Sequence, residues 1–106
     1  MATSKQFLDF ILDQLSGVGG VTYKPMMGEY ILYCRGLIVG GLYDNRLLIK
    51  PTAAARRLMP NAPEETPYEG AKPMLAADAD DRALLAALLP AVAAELETGK
   101  AGKPKG

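Results

Sequence analysis

The sequence has no histidine, no tryptophan and a single cysteine among its 106 residues. Without histidine, the chain has no Ser-His or Cys-His nucleophile pair and no imidazole ligand for a metal ion. One cysteine cannot form an intramolecular disulfide or a cysteine-rich zinc site. Because these absences exclude the commonest nucleophilic and zinc chemistry, we expect a protein that is not an enzyme and that uses no cofactor or metal.

Long apolar runs are also absent. The longest uncharged run, residues 83–94, has 12 residues and contains Pro90, whereas a membrane-spanning helix needs about 20 apolar residues. Asp9 and Asp13 interrupt the apolar stretch near the N-terminus, so the pattern of a signal peptide is missing. We therefore expect a cytoplasmic protein with no membrane partner, in which Cys34 is a reduced thiol.

The charges balance overall but not along the chain. Residues 1–98 hold 9 basic and 12 acidic side chains, and the last three lysines are Lys100, Lys103 and Lys105. A pI of about 6.2 is not typical of a nucleic-acid-binding domain, so direct binding to nucleic acid is not expected. The end of the chain lacks an apolar anchor, and we divide the sequence into one folded domain, residues 1–98, and a disordered basic tail, residues 99–106.

Three segments have the features of helices. Thr3 and Gln6 have capping-box spacing ahead of apolar residues at helical intervals, from Phe7 to Leu15. A short helix over residues 53–59 follows the cap Thr52. The last helix begins after three aspartates and continues through apolar residues spaced as on a helix, with Pro90 predicting a bend rather than a second helix: Leu84, Leu85, Leu88, Leu89, Val92 and Leu96.

Strands are predicted between the first two helices. Residues 21–27 form a strand that lies at an edge of the sheet or at a bulge, because Pro25 cannot donate a ladder hydrogen bond. An antiparallel meander of residues 29–34, 37–43 and 46–50 follows. Gly40 and Gly41 indicate a bulge or the close approach of a helix, which we prefer to the approach of a ligand.

The prolines between residues 60 and 73 predict an extended excursion, after which residues 72–75 form a last short strand. This order of elements indicates an α+β fold: a two-layer sandwich whose antiparallel sheet carries its helices on one face. The other face is left uncovered, and such a face often becomes an oligomer interface.

Several reactive residue types have a structural interpretation. Cys34 lies in a predicted apolar strand and is expected in the core. The acids of residues 78–81 predict a helix cap rather than a calcium loop, since the required glycine and acid are missing at later positions. A solvated loop is the interpretation that we give to Glu64, Glu65 and Glu69.

Two segments fit a purely structural role less well. Residues 24–30 and 67–74 each combine large apolar, aromatic and charged residues around a glycine and a proline, which is typical of irregular backbone held against a core or used for recognition. The candidate binding residues that we take from these segments, together with Lys50 at the end of a strand, are Met26, Met27, Gly28, Glu29, Tyr30, Lys50, Tyr68 and Lys72.

The same segments resemble the TfoX N-terminal domain family, whose bacterial members include regulators of natural competence. The resemblance covers about residues 5–97 and rests on residues 26–33, 36–39 and 47–50 and on the pair of motifs at 67–69 and 72–74. Met27 stands where the family usually has phenylalanine, and Glu29 where it usually has glycine. We expect a stand-alone domain, because the sequence does not include the separate C-terminal domain of the competence regulators.

The resemblance implies a fold similar to the secretion-chaperone-like type, which often goes with homodimers, and it brings no catalytic residues. We therefore expect a non-enzymatic interaction module, homodimeric, that binds a protein partner in a setting of transcriptional regulation. The alternative is a small-ligand or nucleotide-binding domain in which Lys50, Lys72 and Tyr68 line a pocket.

Overall fold

The computed structural model describes the backbone of residues 2–102 and the side chains of residues 2–98. In chain order the elements are α1 (Lys5–Gln14), β1 (Val21–Met26), β2 (Glu29–Cys34), β3 (Leu37–Leu42), β4 (Leu47–Ile49), α2 (Ala53–Leu58), β5 (Glu64–Glu65), β6 (Met74–Ala76) and α3 (Arg82–Gly102). The predicted tail begins within α3, residues 103–106 lie outside the described residues, and its disorder stays a prediction.

The strands form a single six-stranded sheet in the order β1-β2-β3-β4-β6-β5, and every neighbouring pair is antiparallel. The helices supply one side of the core, where α1 and α3 bury Leu8, Ile11 and Leu88 against strand residues such as Leu32 and Ile49. The prediction of an α+β fold with an antiparallel sheet and helices on one face is confirmed. Its likeness to the secretion-chaperone-like type stays a prediction.

Three two-residue turns join the first four strands. Met27-Gly28, Arg35-Gly36 and Asp44-Asn45 all have positive φ, from 51° to 85°, the conformation of type I′ turns, whose twist matches that of the flanking strands. Because consecutive turns of a meander alternate between its ends, the first and third turns lie at the same end of the sheet. The register therefore brings Glu29 and Asp44 close together, although 15 residues separate them in the chain.

The start of α1 differs from the prediction. Ser4, not Thr3, is the N-cap, and its Oγ accepts a hydrogen bond of 3.1 Å from the Phe7 amide. The Thr3 hydroxyl donates to the Glu29 carboxylate at 2.7 Å and accepts from the Asn45 amide at 3.2 Å. The prediction that Thr3 begins a capping box is wrong. The Thr3 side chain has partners 26 and 42 residues away, which the local sequence pattern does not include.

The other two helices begin as predicted. Thr52 caps α2, with its Oγ1 accepting from the Ala55 amide. The Asp81 carboxylate accepts from the Leu84 amide at 3.0 Å. Helix α3 continues past Pro90 without interruption, which confirms one helix rather than two, and its Glu95 carboxylate accepts from two amide groups at the start of α2.

Strand β1 lies at the edge of the sheet, which is one of the two positions that Pro25 predicted. The register between β2 and β3 shifts at Leu32/Tyr33, so the bulge is also confirmed. The close approach at Gly40 is to strand β4 rather than to a helix: a Cβ there would overlap the Leu48 carbonyl oxygen and lie 3.0 Å from Ile49 Cα.

Strand β5 was not predicted. Glu64 and Glu65 pair with Leu75 and Met74 of β6, and both carboxylates are also held by arginines, Glu65 by Arg46 at 2.8 Å and Glu64 by Arg56 at 3.1 Å. These acids belong to the sheet edge and not to a solvated loop. In the part of the chain that the structure describes, no helix is long and apolar enough to cross a membrane.

Candidate functional site

The candidate site lies on the face of the sheet opposite the helices, which we call the open face. Strand alternation places Lys24, Ile31, Ile38 and Leu48 on this face. Leu48 is completely buried and Tyr43 is only 8% exposed, although the helices cover the other side of the sheet. The chain between β5 and β6 therefore covers the middle of the open face; we call residues 66–73 the cover segment.

Tyr68 is the central side chain of the cover segment. Its ring lies 6.3 Å from the ring of Tyr43, centroid to centroid, at an angle of 58°, and Tyr68 remains 59% exposed. Tyr43, Pro67 and Tyr68 line two grooves, one on each side of this aromatic pair. The open face thus has an aromatic centre and two flanking depressions.

The first depression, the acidic groove, has a volume of about 660 Å³. Its remaining lining comes from the ends of the two hairpins that share one end of the sheet and from the cover segment: Met26, Met27, Glu29, Asp44, Arg46 and Glu69. The guanidinium of Arg46 is already paired with Glu65 and donates from Nε to the Tyr43 carbonyl oxygen. Three carboxylates therefore set the charge of this groove.

The second depression, the basic groove, has a volume of about 450 Å³. Lys50 and Lys72 are its charged lining residues, and among the described residues no carboxylate lines it. Ile38, Thr52, Ala71 and Met74 are among the uncharged residues around them. Charge therefore reverses across Tyr68, from negative at the hairpin tips to positive at the end of β4.

A clamp of hydrogen bonds fixes the acidic end of the open face. Glu29 Oε1 accepts from the Thr3 hydroxyl at 2.7 Å and from the Asp44 amide at 3.1 Å. The Thr3 amide donates to the Gly28 carbonyl oxygen, and the Ser4 amide donates to Asn45 Oδ1. These bonds tie the start of the chain to both hairpin tips, and we call them the N-terminal clamp.

Two side chains, Tyr43 and Cys34, have a raised pKa. Burial raises the pKa of the Tyr43 hydroxyl, and the neighbouring Tyr68 and Glu29 raise it further, so Tyr43 keeps its proton at neutral pH. Burial also raises the pKa of the Cys34 thiol, against a smaller opposing effect of Arg35. Cys34 is fully buried, which confirms the prediction that it packs in the core.

The structure brings most of the predicted binding residues to the open face. Met26, Met27 and Glu29 line the acidic groove, Lys50 and Lys72 line the basic groove, and Tyr68 lines both. Two predicted residues line neither groove. Gly28 supplies a turn with φ of 85°, and Tyr30 packs against the core, 5.8 Å from the ring of Tyr23. Binding by any of these residues stays a prediction.

Sequence reasoning missed Tyr43, Asp44 and Arg46. The Asp44-Asn45 pair was interpreted only as a hairpin turn, and Tyr43 only as the end of a strand. The alternation of turns along a meander could have placed Asp44 beside Glu29. The sequence offered no comparable signal that the cover segment would fold back over Tyr43.

Together, the fold and the site define a small α+β domain that presents a partly covered sheet face with opposite charges at its two ends. The chain matches the TfoX N-terminal domain over residues 13–88, and it belongs to that family, as the sequence resemblance predicted. The family is not a known enzyme family.

The chain is 42% identical over 78 residues to an "Uncharacterized 12.7 kDa protein in trpE 5'region" of Spirochaeta aurantia, an alignment that covers 74% of this chain and 68% of that protein. No solved structure matches the chain significantly.

Proposed function

We propose that the protein is a non-enzymatic interaction domain that binds a protein partner on its open face. The observation that carries this proposal is the exposure of large side chains around the aromatic centre: Met27 is 95% exposed, Tyr68 59% and Ile38 39%. Apolar and aromatic residues surrounded by charged ones are the usual composition of a protein interface, and tyrosine is enriched among the residues that dominate binding energy.

The polar groups of the two grooves support binding better than catalysis. The Glu29 carboxylate accepts hydrogen bonds in the N-terminal clamp, and the Arg46 guanidinium is paired with Glu65. The Thr52 hydroxyl accepts a hydrogen bond from the first turn of α2. A general base needs a proton within hydrogen-bond reach and a pKa suited to taking it. These groups instead maintain the shape of the surface.

The proposed biological setting is transcriptional regulation through protein–protein contact. Membership of the TfoX N-terminal domain family supports it, since the family includes competence regulators. The charge of residues 1–98, with 9 basic and 12 acidic side chains, favours a protein partner over direct contact with nucleic acid.

A photoreactive amino acid at position 68 tests the proposal in the cells that produce the protein. We expect it to form cross-links to protein, identified by mass spectrometry. The matched control is the same amino acid at Phe10, an aromatic residue of α1 that is 38% exposed away from the open face. Equal cross-linking from positions 10 and 68, or none from position 68, would refute an interface on the open face.

The basic groove favours one alternative function, the binding of a small anionic ligand. Its volume of about 450 Å³ lies in the range of ligand pockets, and Lys50, Lys72 and Tyr68 are a suitable set for an anion with an apolar or aromatic body. A panel of metabolites should then raise the melting temperature of the wild type and leave that of the double variant Lys50→Ala/Lys72→Ala unchanged. No stabilisation of the wild type by any anion would rule against this alternative.

A further inference from the structure

We infer that the protein partner of the open face is a second copy of the same chain, bound face to face about a two-fold axis close to Tyr68. This inference rests on the proposed function, because it specifies the occupant of the same surface. In this dimer the acidic groove of each protomer faces the basic groove of the other.

The distribution of charge carries the inference. In a two-fold interface, a contact between one site and another occurs twice, with the roles of the protomers exchanged. Tyr68 lines both grooves. A two-fold axis that lies in the interface, passes close to Tyr68 and runs between the grooves therefore places the acidic groove of one copy opposite the basic groove of the other. Glu69 and its acidic neighbours would then face Lys50 and Lys72 of the second copy at both ends of the interface, so a single surface is complementary to itself.

The centre of the face suits the same arrangement. Tyr68 would lie near the axis, where the two copies of one side chain meet. Met27 and Ile38, which are exposed on either side of it, would be covered together with the tyrosine. Aromatic and apolar residues at the centre with charged residues around them match the usual anatomy of a protein interface.

The β1 edge of the sheet is less suited to self-association. Met26 and Glu29 flank a two-residue turn and form a hydrogen-bonded pair, so the next pair, Pro25 and Tyr30, is not hydrogen-bonded. The amide position of residue 25 therefore faces away from β2, at the free edge, where proline has no N–H to donate. A proline at this position discourages a second copy from adding a strand to β1.

A charge-exchange experiment tests the inference. In the first variant, Lys50→Glu/Lys72→Glu makes both grooves acidic. In the second, Met27→Lys/Glu69→Lys places two lysines in the acidic groove, where they balance the carboxylates of Glu29 and Asp44 and remove its negative charge. Both variants avoid Glu29 and Asp44, which belong to the N-terminal clamp. A control variant, Lys5→Glu/Arg57→Glu, makes the same change of net charge as the first variant on α1 and α2.

Sedimentation velocity over a range of concentrations provides the readout. We expect the wild type and the control to reach twice the chain mass of 11.3 kDa, and added salt to weaken this association. Each charge variant alone should associate at least about tenfold more weakly, since every altered contact occurs twice. An equimolar mixture of the two variants should recover association. The unaltered acidic groove of the first variant would face the unaltered lysines of the second, and the glutamates introduced in the first would face the lysines introduced in the second. Recovery in the mixture also shows that both variants are folded.

Three outcomes would overturn the inference: a wild type that stays monomeric, charge variants that associate as well as the wild type, or a mixture that does not recover. The cross-linking experiment separates these failures from failure of the proposed function. If position 68 cross-links to a different protein while the wild type is monomeric, the open face is a protein interface and only self-association is wrong. If position 68 forms no cross-links, both proposals fail.

Discussion

Substituting Gly40 by alanine tests whether the close contact between β3 and β4 requires a residue without a side chain. The added Cβ would overlap the carbonyl oxygen of Leu48 and lie 3.0 Å from Ile49 Cα. Both are backbone atoms of β4, and residues 48 and 49 also pair with β6. Strand β4 cannot move away from Gly40 without disturbing its hydrogen bonds to β6, so a small backbone shift would not relieve the overlap.

The expected loss of stability follows from these contacts. Overpacking a core usually costs about 1–3 kcal/mol, and a contact with backbone on both sides belongs at the upper end, about 3 kcal/mol. A domain of this size has a free energy of unfolding of about 5–15 kcal/mol. With a urea m-value of about 1–1.5 kcal/mol/M, the midpoint of Gly40→Ala should fall by about 2 M or more.

Urea unfolding followed by circular dichroism measures the effect, with Gly17→Ala as the matched control. A Cβ at Gly17 meets nothing within 4 Å, and its φ lies outside the left-handed region. The control should therefore change stability by less than about 1 kcal/mol, in the stabilising direction, because alanine restricts the unfolded chain. If the two variants unfold at the same urea concentration, the argument that β4 cannot yield at Gly40 is wrong.

Two further predictions concern groups away from the open face. Glu95→Ala removes the carboxylate that accepts from the Ala53 and Ala54 amides at 3.0 and 2.7 Å. We expect the free energy of unfolding to fall by about 2 kcal/mol and the melting temperature to fall by about 8 °C. The control is Glu97→Ala, at an exposed position, and equal melting of the two variants would contradict the prediction. Cys34 should react with a thiol reagent at pH 8 at least about a hundredfold more slowly in the native protein than in urea, because only the thiolate reacts and the thiol is buried. Labelling at equal rates in the native protein and in urea would contradict this expectation. Since folding raises the pKa of Cys34 from 9.0, the thiol loses its proton first in the unfolded state, and its contribution to stability should decline as the pH rises above that value.

The parts of the fold that the sequence predicted depend on local signals. The hairpin at Arg35-Gly36 and the helix cap at Thr52 are each decided by a few neighbouring residues. The edge position of β1 follows from one proline, and the bulge in β3 from two adjacent glycines. Such signals are sufficient for an antiparallel meander, because each strand pairs with the next one in the chain.

The parts that the sequence did not predict depend on distant partners. Thr3 has the spacing of a cap, but its hydroxyl binds Glu29 and Asn45 across the fold. Strand β5 is only two residues long and exists through its pairing with β6 and the arginines that hold its carboxylates. The candidate site was predicted residue by residue, whereas its division into two grooves of opposite charge depends on where the cover segment folds.

The N-terminal clamp also decides where an attached segment would leave the domain. Residues 3 and 4 are held at the hairpin tips, and Ala2 lies against Gly28, 3.3 Å from where a Cβ at that glycine would be. A peptide or fluorophore joined ahead of Ala2 would start beside Met27, at the mouth of the acidic groove, and would sample that groove at a high effective concentration. A probe joined after α3 would start from the helical layer instead, so the two attachment points provide a near and a distant reporter for the same surface.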